Sequence, residues 1–199
     1  GAEVEARTSG GNVSLESARG AVKLGTSGGD VKLGKIAGEV DAGTSGGNVE
    51  LAEGRAAIKL NTSGGNIALG RAVGPAVVHT SGGNIRASMV EHTLEAKTSG
   101  GDVAATFVGA LRGDCLLSTS GGRVKATVES KAAFQLDAST SGGDVDAAGF
   151  TIKIEKGGVG KSRLSGAVNG GGPLLKLRSS GGDIVRSEER RVGKECLRL

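Results

Sequence analysis

The chain has 199 residues, 38 of them glycine, with 2% aromatics, no Trp or Tyr, two cysteines and a formal net charge of +4. It has no apolar run of about 18 residues that would make a membrane-spanning helix, and two cysteines make neither a disulfide framework nor a metal cluster. Residues 186–199 carry five Lys/Arg and three Asp/Glu, leaving 20 of the 25 basic and 18 of the 21 acidic residues elsewhere, so the basic balance is no nucleic-acid footprint.

Val4, Ala6 and Thr8 alternate with Glu5 and Arg7 as the end of a strand. The chain therefore opens inside a repeating unit, and residues 1–185 are expected to be an N-terminally truncated repeat domain. Next comes the phrase "TSGGNV" at residues 8–13, and close copies return along the whole chain. They begin at Thr8, Thr26, Thr44, Thr62, Thr80 and Thr98, always 18 apart, then at Thr119 and Thr140 after steps of 21. A weaker copy, "SSGGDI", starts at Ser179. A catalytic motif is needed once, whereas a phrase at fixed intervals belongs to the architecture.

Between these phrases the pattern has a period of two. Val13 and Leu15 share a face with Ser14 opposite, and Val22, Leu24 and Thr26 share a face with Lys23 and Gly25 opposite. That is the pattern of strands with one buried side, and Val and Ile favour the pleated conformation. Each 18-residue unit holds two such half-units of about nine residues, each a short strand and a turn. Outward positions 18 apart read Glu5, Lys23, Asp41 and Lys59, alternating in sign. Stacked rungs make these residues neighbours, roughly 4.8 Å apart; an antiparallel meander would separate them by an intervening strand. The expectation is an all-β solenoid (β-helix) of about nine coils of 18–21 residues, with two short strands per coil.

The repeated phrase is the corner of each coil. Its structural residues are Thr8, Gly10 and Gly11; Thr26, Gly28 and Gly29; Thr44, Gly46 and Gly47; Thr62, Gly64 and Gly65; and Thr80, Gly82 and Gly83. Later copies supply Thr98, Gly100 and Gly101; Thr119, Gly121 and Gly122; Thr140, Gly142 and Gly143; and Gly181 with Gly182. The glycines are expected to turn the chain through positive φ. The Thr hydroxyls point inward, to bond one another and the corner backbone. From residue 98 the coils lengthen and carry bulkier inward groups, among them Phe134 and Leu136, and Cys115 falls on the inward face as a small hydrophobe.

Four chemical possibilities stand beside this frame. "KGGVGKS" (156–162) resembles the phosphate-binding loop of the ParA/MinD-type ATPases, but "SRLSGAVNGGGP" follows it and no helix starts there to cradle phosphate. "EKGG" (155–158) is instead expected to be a degraded corner. The nonapeptide calcium site GGxGxDxUx needs Gly fourth and Asp sixth, whereas "GGNVSLESA" has neither, so Asp30, Asp102, Asp144 and Asp183 are not expected to hold a metal. Ice binding needs outward threonines. A polysaccharide-active enzyme needs clustered carboxylates or basic groups in a groove, and the outward series Ser14, Lys32, Glu50, Ala68, Arg86, Ala104, Lys125 and Asp146 is mixed. His79 and His92 have no evident partner in the sequence.

"ASTSGGDV" (138–145) and "GGPLLKLRSSGGDI" (171–184) resemble a bacterial adhesin-like family, a β-strand-repeat domain of unknown function similar in style to the head-GIN adhesin domains. The resemblance covers residues 1–185. It implies a β-helical extracytoplasmic domain, a non-enzymatic binding or scaffold module of the bacterial envelope, with no catalytic residue and no cofactor. The implied partner is a surface ligand or envelope protein, with no nucleic acid, and a membrane only through a segment outside this chain. A polysaccharide-active β-helix enzyme and an envelope-stress sensor are the alternatives. After Ile184 the alternation ends, and "RSEERRVGKEC" (186–196) resembles the conceptual translation of a sequencing-library adapter, so residues 186–199 are expected to be a non-native, unpacked tail.

Overall fold

Alternating Val, Leu and Ile positions form twenty strands in the computed structural model, which describes residues 2–146 and 152–189, with side chains outside 151–159 and 186–189. The first fourteen are β1 (Val4–Thr8), β2 (Val13–Ala18), β3 (Val22–Thr26), β4 (Val31–Ile36), β5 (Val40–Gly43), β6 (Val49–Gly54), β7 (Ile58–Asn61), β8 (Ile67–Ala72), β9 (Ala76–His79), β10 (Ile85–Val90), β11 (Leu94–Lys97), β12 (Val103–Phe107), β13 (Cys115–Ser118) and β14 (Val124–Glu129). The rest are β15 (Phe134–Thr140), β16 (Val145–Asp146), β17 (Ile152–Gly160), β18 (Arg163–Val168), β19 (Leu174–Ser179) and β20 (Ile184–Glu189). No helix occurs among the described residues, so none is long and apolar enough to cross a membrane.

The molecule is the expected all-β solenoid. Odd strands β1 to β13 stack in parallel as one sheet and even strands β2 to β14 as the other. The register is the 18-residue repeat itself: Val22 pairs with Val40, Val40 with Ile58, and Ile58 with Ala76. Glu5, Lys23, Asp41 and Lys59 are neighbours on successive strands, as their alternating signs indicated. Between the sheets lies one continuous core, in which Leu33, Leu51, Leu60, Leu69 and Leu94 are almost fully buried. Burying a Leu or Val side chain contributes about 1.5–3 kcal/mol. A single coil holds too few to offset its own ordering, and the stack supplies the remainder.

The winding is regular for seven turns, not nine, and then leaves sequence order. β19 lies between β13 and β15, parallel to both, and β20 lies between β14 and β16. The segment bearing Ser179 thus fills a layer that the segment bearing Thr140, which comes earlier in the chain, has passed over. The intervening residues form a hairpin: β18 runs antiparallel to β15, and β17 antiparallel to β18. From β18 the chain reverses through Asn169 (φ 49°), Gly170 (φ 95°) and Gly171 (φ 82°), a left-handed stretch that glycine adopts at little cost. The Asn169 side-chain amide donates to the Ser130 and Ala132 carbonyls and fixes the reversal.

Two further expectations differ from the structure. "EKGG" is no corner, because residues 155–158 lie within β17, where the pairing with β18 shifts register. Nor does ordered pairing end at Ile184. β20 continues to Glu189, with Ala126 opposite Arg186 and Glu129 opposite Glu189, because β14 is long enough to offer it a full partner edge. Residues 190–199 of the proposed tail lie outside the described residues.

Candidate functional site

The repeated corner is built of backbone contacts between layers. Each corner Thr from Thr26 onward is buried. The Thr44 hydroxyl donates to the Gly29 carbonyl of the preceding layer at 2.8 Å and accepts the Gly47 N–H of its own corner at 3.3 Å. Thr62 repeats this with Gly47 and Gly65, and Thr80 with Gly65 and Gly83. Ser179 does the same with Gly122 and Gly182. The hydroxyls therefore bond corner backbone and not one another. Thr8, Gly10 and Gly11 form the first corner, where the Gly11 carbonyl accepts the Thr26 hydroxyl.

The corner glycines are required for a different reason from the one expected. None of them has positive φ. A Cβ on the second glycine of the phrase would lie 1.9–2.3 Å from a carbonyl oxygen of the adjacent layer at Gly29, Gly47, Gly65, Gly83, Gly101, Gly122 and Gly182. At the first glycine the nearest atom is 3.3–3.8 Å away for Gly28, Gly46, Gly64, Gly82, Gly100 and Gly121. Close layer stacking, rather than turn geometry, excludes a side chain.

Beside the glycines runs a second ladder. Asn12, Asp30, Asn48, Asn66, Asn84 and Asp102 each accept, through Oδ1, the backbone N–H of the residue one layer on, at 2.7–2.9 Å. Arg123 breaks the series because its side chain offers no acceptor; the ladder resumes where Asp183 Oδ1 accepts the Asp144 N–H. Asp30, Asp102 and Asp183 are thus engaged with backbone. Among the described residues no group of three or more His, Cys, Asp or Glu is placed to hold a metal ion.

The remaining chemical motifs separate in space. Lys161 and Ser162 form the turn between β17 and β18, so "KGGVGKS" is a strand and a hairpin turn with no helix behind it. Cys115 is buried, and burial pushes its thiol pKa up, away from the reactive thiolate. His92 Nδ1 accepts the Thr93 N–H at 2.9 Å. His79 Nε2 stands 3.6 Å from Glu95 Oε1, while a hydrogen bond from Lys97 holds the Glu95 carboxyl below its ordinary range.

What the corners leave for function is two outward faces. On the odd-strand face the charges neutralise one another in register: Lys59 pairs with Asp41 at 3.9 Å, and Arg178 with Asp137. The groove there, ≈ 620 Å³, is lined by Lys23 and Lys59 together with Glu3, Glu39 and Asp41. The even-strand face begins in the same way, with Lys32 against Glu50 at 3.5 Å, and then departs from it. A groove of ≈ 440 Å³ lies over Ala104, walled by Arg86 on β10 and Lys125 on β14, with Arg123 and Asp102 at its corner end. It continues along β12 past Ser88, Thr106 and Thr127. Arg123 reaches Asp102 at 3.7 Å; Arg86 and Lys125 make no ion pair with the described residues.

Sequence order concealed this groove. It puts Asp146 one layer from Lys125, so the face looks balanced. The structure inserts Val185 between them, pairing Lys125 with Val185 and Val185 with Asp146. The acid moves from one to two strand spacings away, from roughly 4.8 to roughly 10 Å.

Comparison with known proteins adds one match. A family model described as Toastrack DUF4097 covers residues 1–185. No curated protein and no solved structure matches the chain.

Proposed function

We propose, from the premise that this chain belongs to the Toastrack DUF4097 family of β-solenoid domains of unknown function, that it is a non-enzymatic extracytoplasmic binding or scaffold module of the bacterial envelope. One observation carries this reading. The repeated motif spends its hydroxyls, amides and glycines on joining layers, so what remains to meet a partner is the side chains of two long, ridged faces. Such faces present charge at fixed intervals and suit an extended ligand. The adhesin-like resemblance supports the extracytoplasmic placement.

Two features bear on the enzymatic alternative. The groove over Ala104 lacks the pair of carboxylates that glycoside hydrolysis needs, and the Cys115 thiol is buried; its cluster of basic groups is the other arrangement such an enzyme would use, so the reaction product decides between the two readings. The test is co-sedimentation of the purified chain with isolated bacterial envelopes, with the size and reducing ends of the envelope polymers followed in parallel. Retention with unchanged polymers is the expected result. Appearance of new reducing ends would make the chain a polysaccharide-active enzyme.

A further inference from the structure

We infer that the groove over Ala104 binds the carboxylate or phosphate groups of an acidic, hydroxyl-rich polymer. This rests on the reading of the outward faces as binding surfaces and names what one of them binds.

Arg86 and Lys125 stand two strands apart, roughly 10 Å by the spacing of parallel strands, in line with Ala104 between them. Neither has an ion-pair partner among the described residues, and Val185 keeps Asp146 from the adjoining layer. Arg123 adds a third cation at the corner, against the single carboxylate of Asp102. With one methyl group as its floor, the space between the two walls admits an anion that both walls reach. Arg86 offers a planar fork of donors and Lys125 a rotatable ammonium, the usual pair for carboxylate and phosphate.

Shape selects the ligand class. From Asp102 to Thr106 the groove follows β12 for roughly 13 Å at about 3.3 Å per residue, and Ser88, Thr106 and Thr127 line its continuation. β12 is paired on both sides, with β10 and β14, so its backbone is not available to add a peptide strand. A ligand is read by side-chain charges and hydroxyls alone. A sugar chain carrying uronate or phosphate groups meets both with one extended backbone. Aromatic stacking plays no part, in keeping with a chain that has no Trp or Tyr.

The test is calorimetric titration of the full chain with polygalacturonate oligomers, poly(glycerol phosphate), neutral dextran and poly-glutamate, at low and at raised salt. Binding of either sugar- or glycerol-based polyanion, weakening with salt, is expected; the two arms tell carboxylate from phosphate. Arg86→Ser with Lys125→Ser should weaken it at least about tenfold, whereas Lys23→Ser with Lys59→Ser, the same charge loss on the opposite face, should change it less than about twofold. Circular dichroism melts of both double variants confirm folding. Equal losses in the two variants would reduce the effect to general charge attraction and overturn the site. Poly-glutamate binding with the same variant sensitivity and equal strength would reassign the groove to acidic peptides. Dextran binding that ignores both variants would overturn the groove while leaving the binding module intact, and no binding to any probe overturns the groove as well.

Discussion

Arg178 grips Asp137 across 41 positions of sequence: its guanidinium donates to the Asp137 carbonyl at 3.0 Å and to both carboxylate oxygens. The pair ties β19 to β15, the layer that precedes it in the chain and follows it in the stack. The hydrogen bond from Arg178 holds the Asp137 carboxyl below the usual carboxylate range. A depressed folded pKa stabilises the fold above the unfolded value, and that contribution is lost as pH falls through the folded one. Asp137→Asn is therefore expected to cost about 1 kcal/mol near neutral pH, reduced by partial exposure. Melts at a series of pH values should show the gap from the parent chain closing below about pH 4; a gap constant down to strong acid would exclude the ion pair as its cause.

Adjacent glycines at one corner should respond very differently. Gly65→Ala places a Cβ 1.9 Å from the Gly47 carbonyl oxygen, whereas Gly64→Ala meets its nearest atom at 3.5 Å. The first substitution forces two layers apart and is expected to cost about 3 kcal/mol or more. The second should stay within about 1 kcal/mol, and Lys59→Ser on the outward face within about 0.5 kcal/mol. Chemical denaturation of the three variants ranks them, and equal midpoints for the two glycine variants would contradict the stacking argument.

Thr62→Val keeps the shape of the side chain and removes its hydroxyl. The Gly47 carbonyl and the Gly65 N–H then lose their partner, at a cost of about 1–3 kcal/mol for buried groups left unpaired. Thr62→Ser should cost clearly less, because Ser179 makes the same two bonds at its own corner. Thermal melting of the two variants decides it: the serine variant should melt higher.

Periodicity made most of the fold legible and its last third illegible. The alternation of Val22, Leu24 and Thr26 fixes which side is buried, and a spacing of 18 fixes which residues stack, so strands, register and inward threonines follow from the sequence alone. The order of the last layers does not follow, because the corners at Thr140 and Ser179 look alike and neither carries a mark of its neighbour. The available signals were the interval of 39 between them and the run "NGGGP", which supplies the left-handed reversal into β19. "EKGG" misled because two glycines fit a strand with a register shift as well as a corner. The cationic groove could not be read without that layer order, since only the insertion of Val185 parts Lys125 from Asp146.

A chain ended at Glu189 should be more stable than one ended at Val185. The longer chain keeps the pairing of residues 186–189 with Ala126, Thr127, Val128 and Glu129. Melting temperatures should differ by a few degrees. Coincident melts would show that these four residues add nothing, as expected of an unpacked tail.

The hairpin turn at Lys161 and Ser162 lacks the helix N-terminus that a phosphate loop requires. Titration with ATP and magnesium is therefore expected to give no saturable signal. A signal that vanishes in Lys161→Ala would restore nucleotide binding to this segment.

Out-of-order layering also decides how the molecule bears load. In a solenoid wound in sequence, tension on the last coil peels one edge, one layer at a time. Here tension entering through Ile184 acts on β20 and β19, each paired on two sides. Extracting that layer means sliding it past both neighbours together, with many backbone bonds in shear. The terminal hairpin beyond it stays outside the force path until the inner layer gives way. The stack is thereby held shut as a bolt holds a door, by a piece that comes late in the chain and is set within.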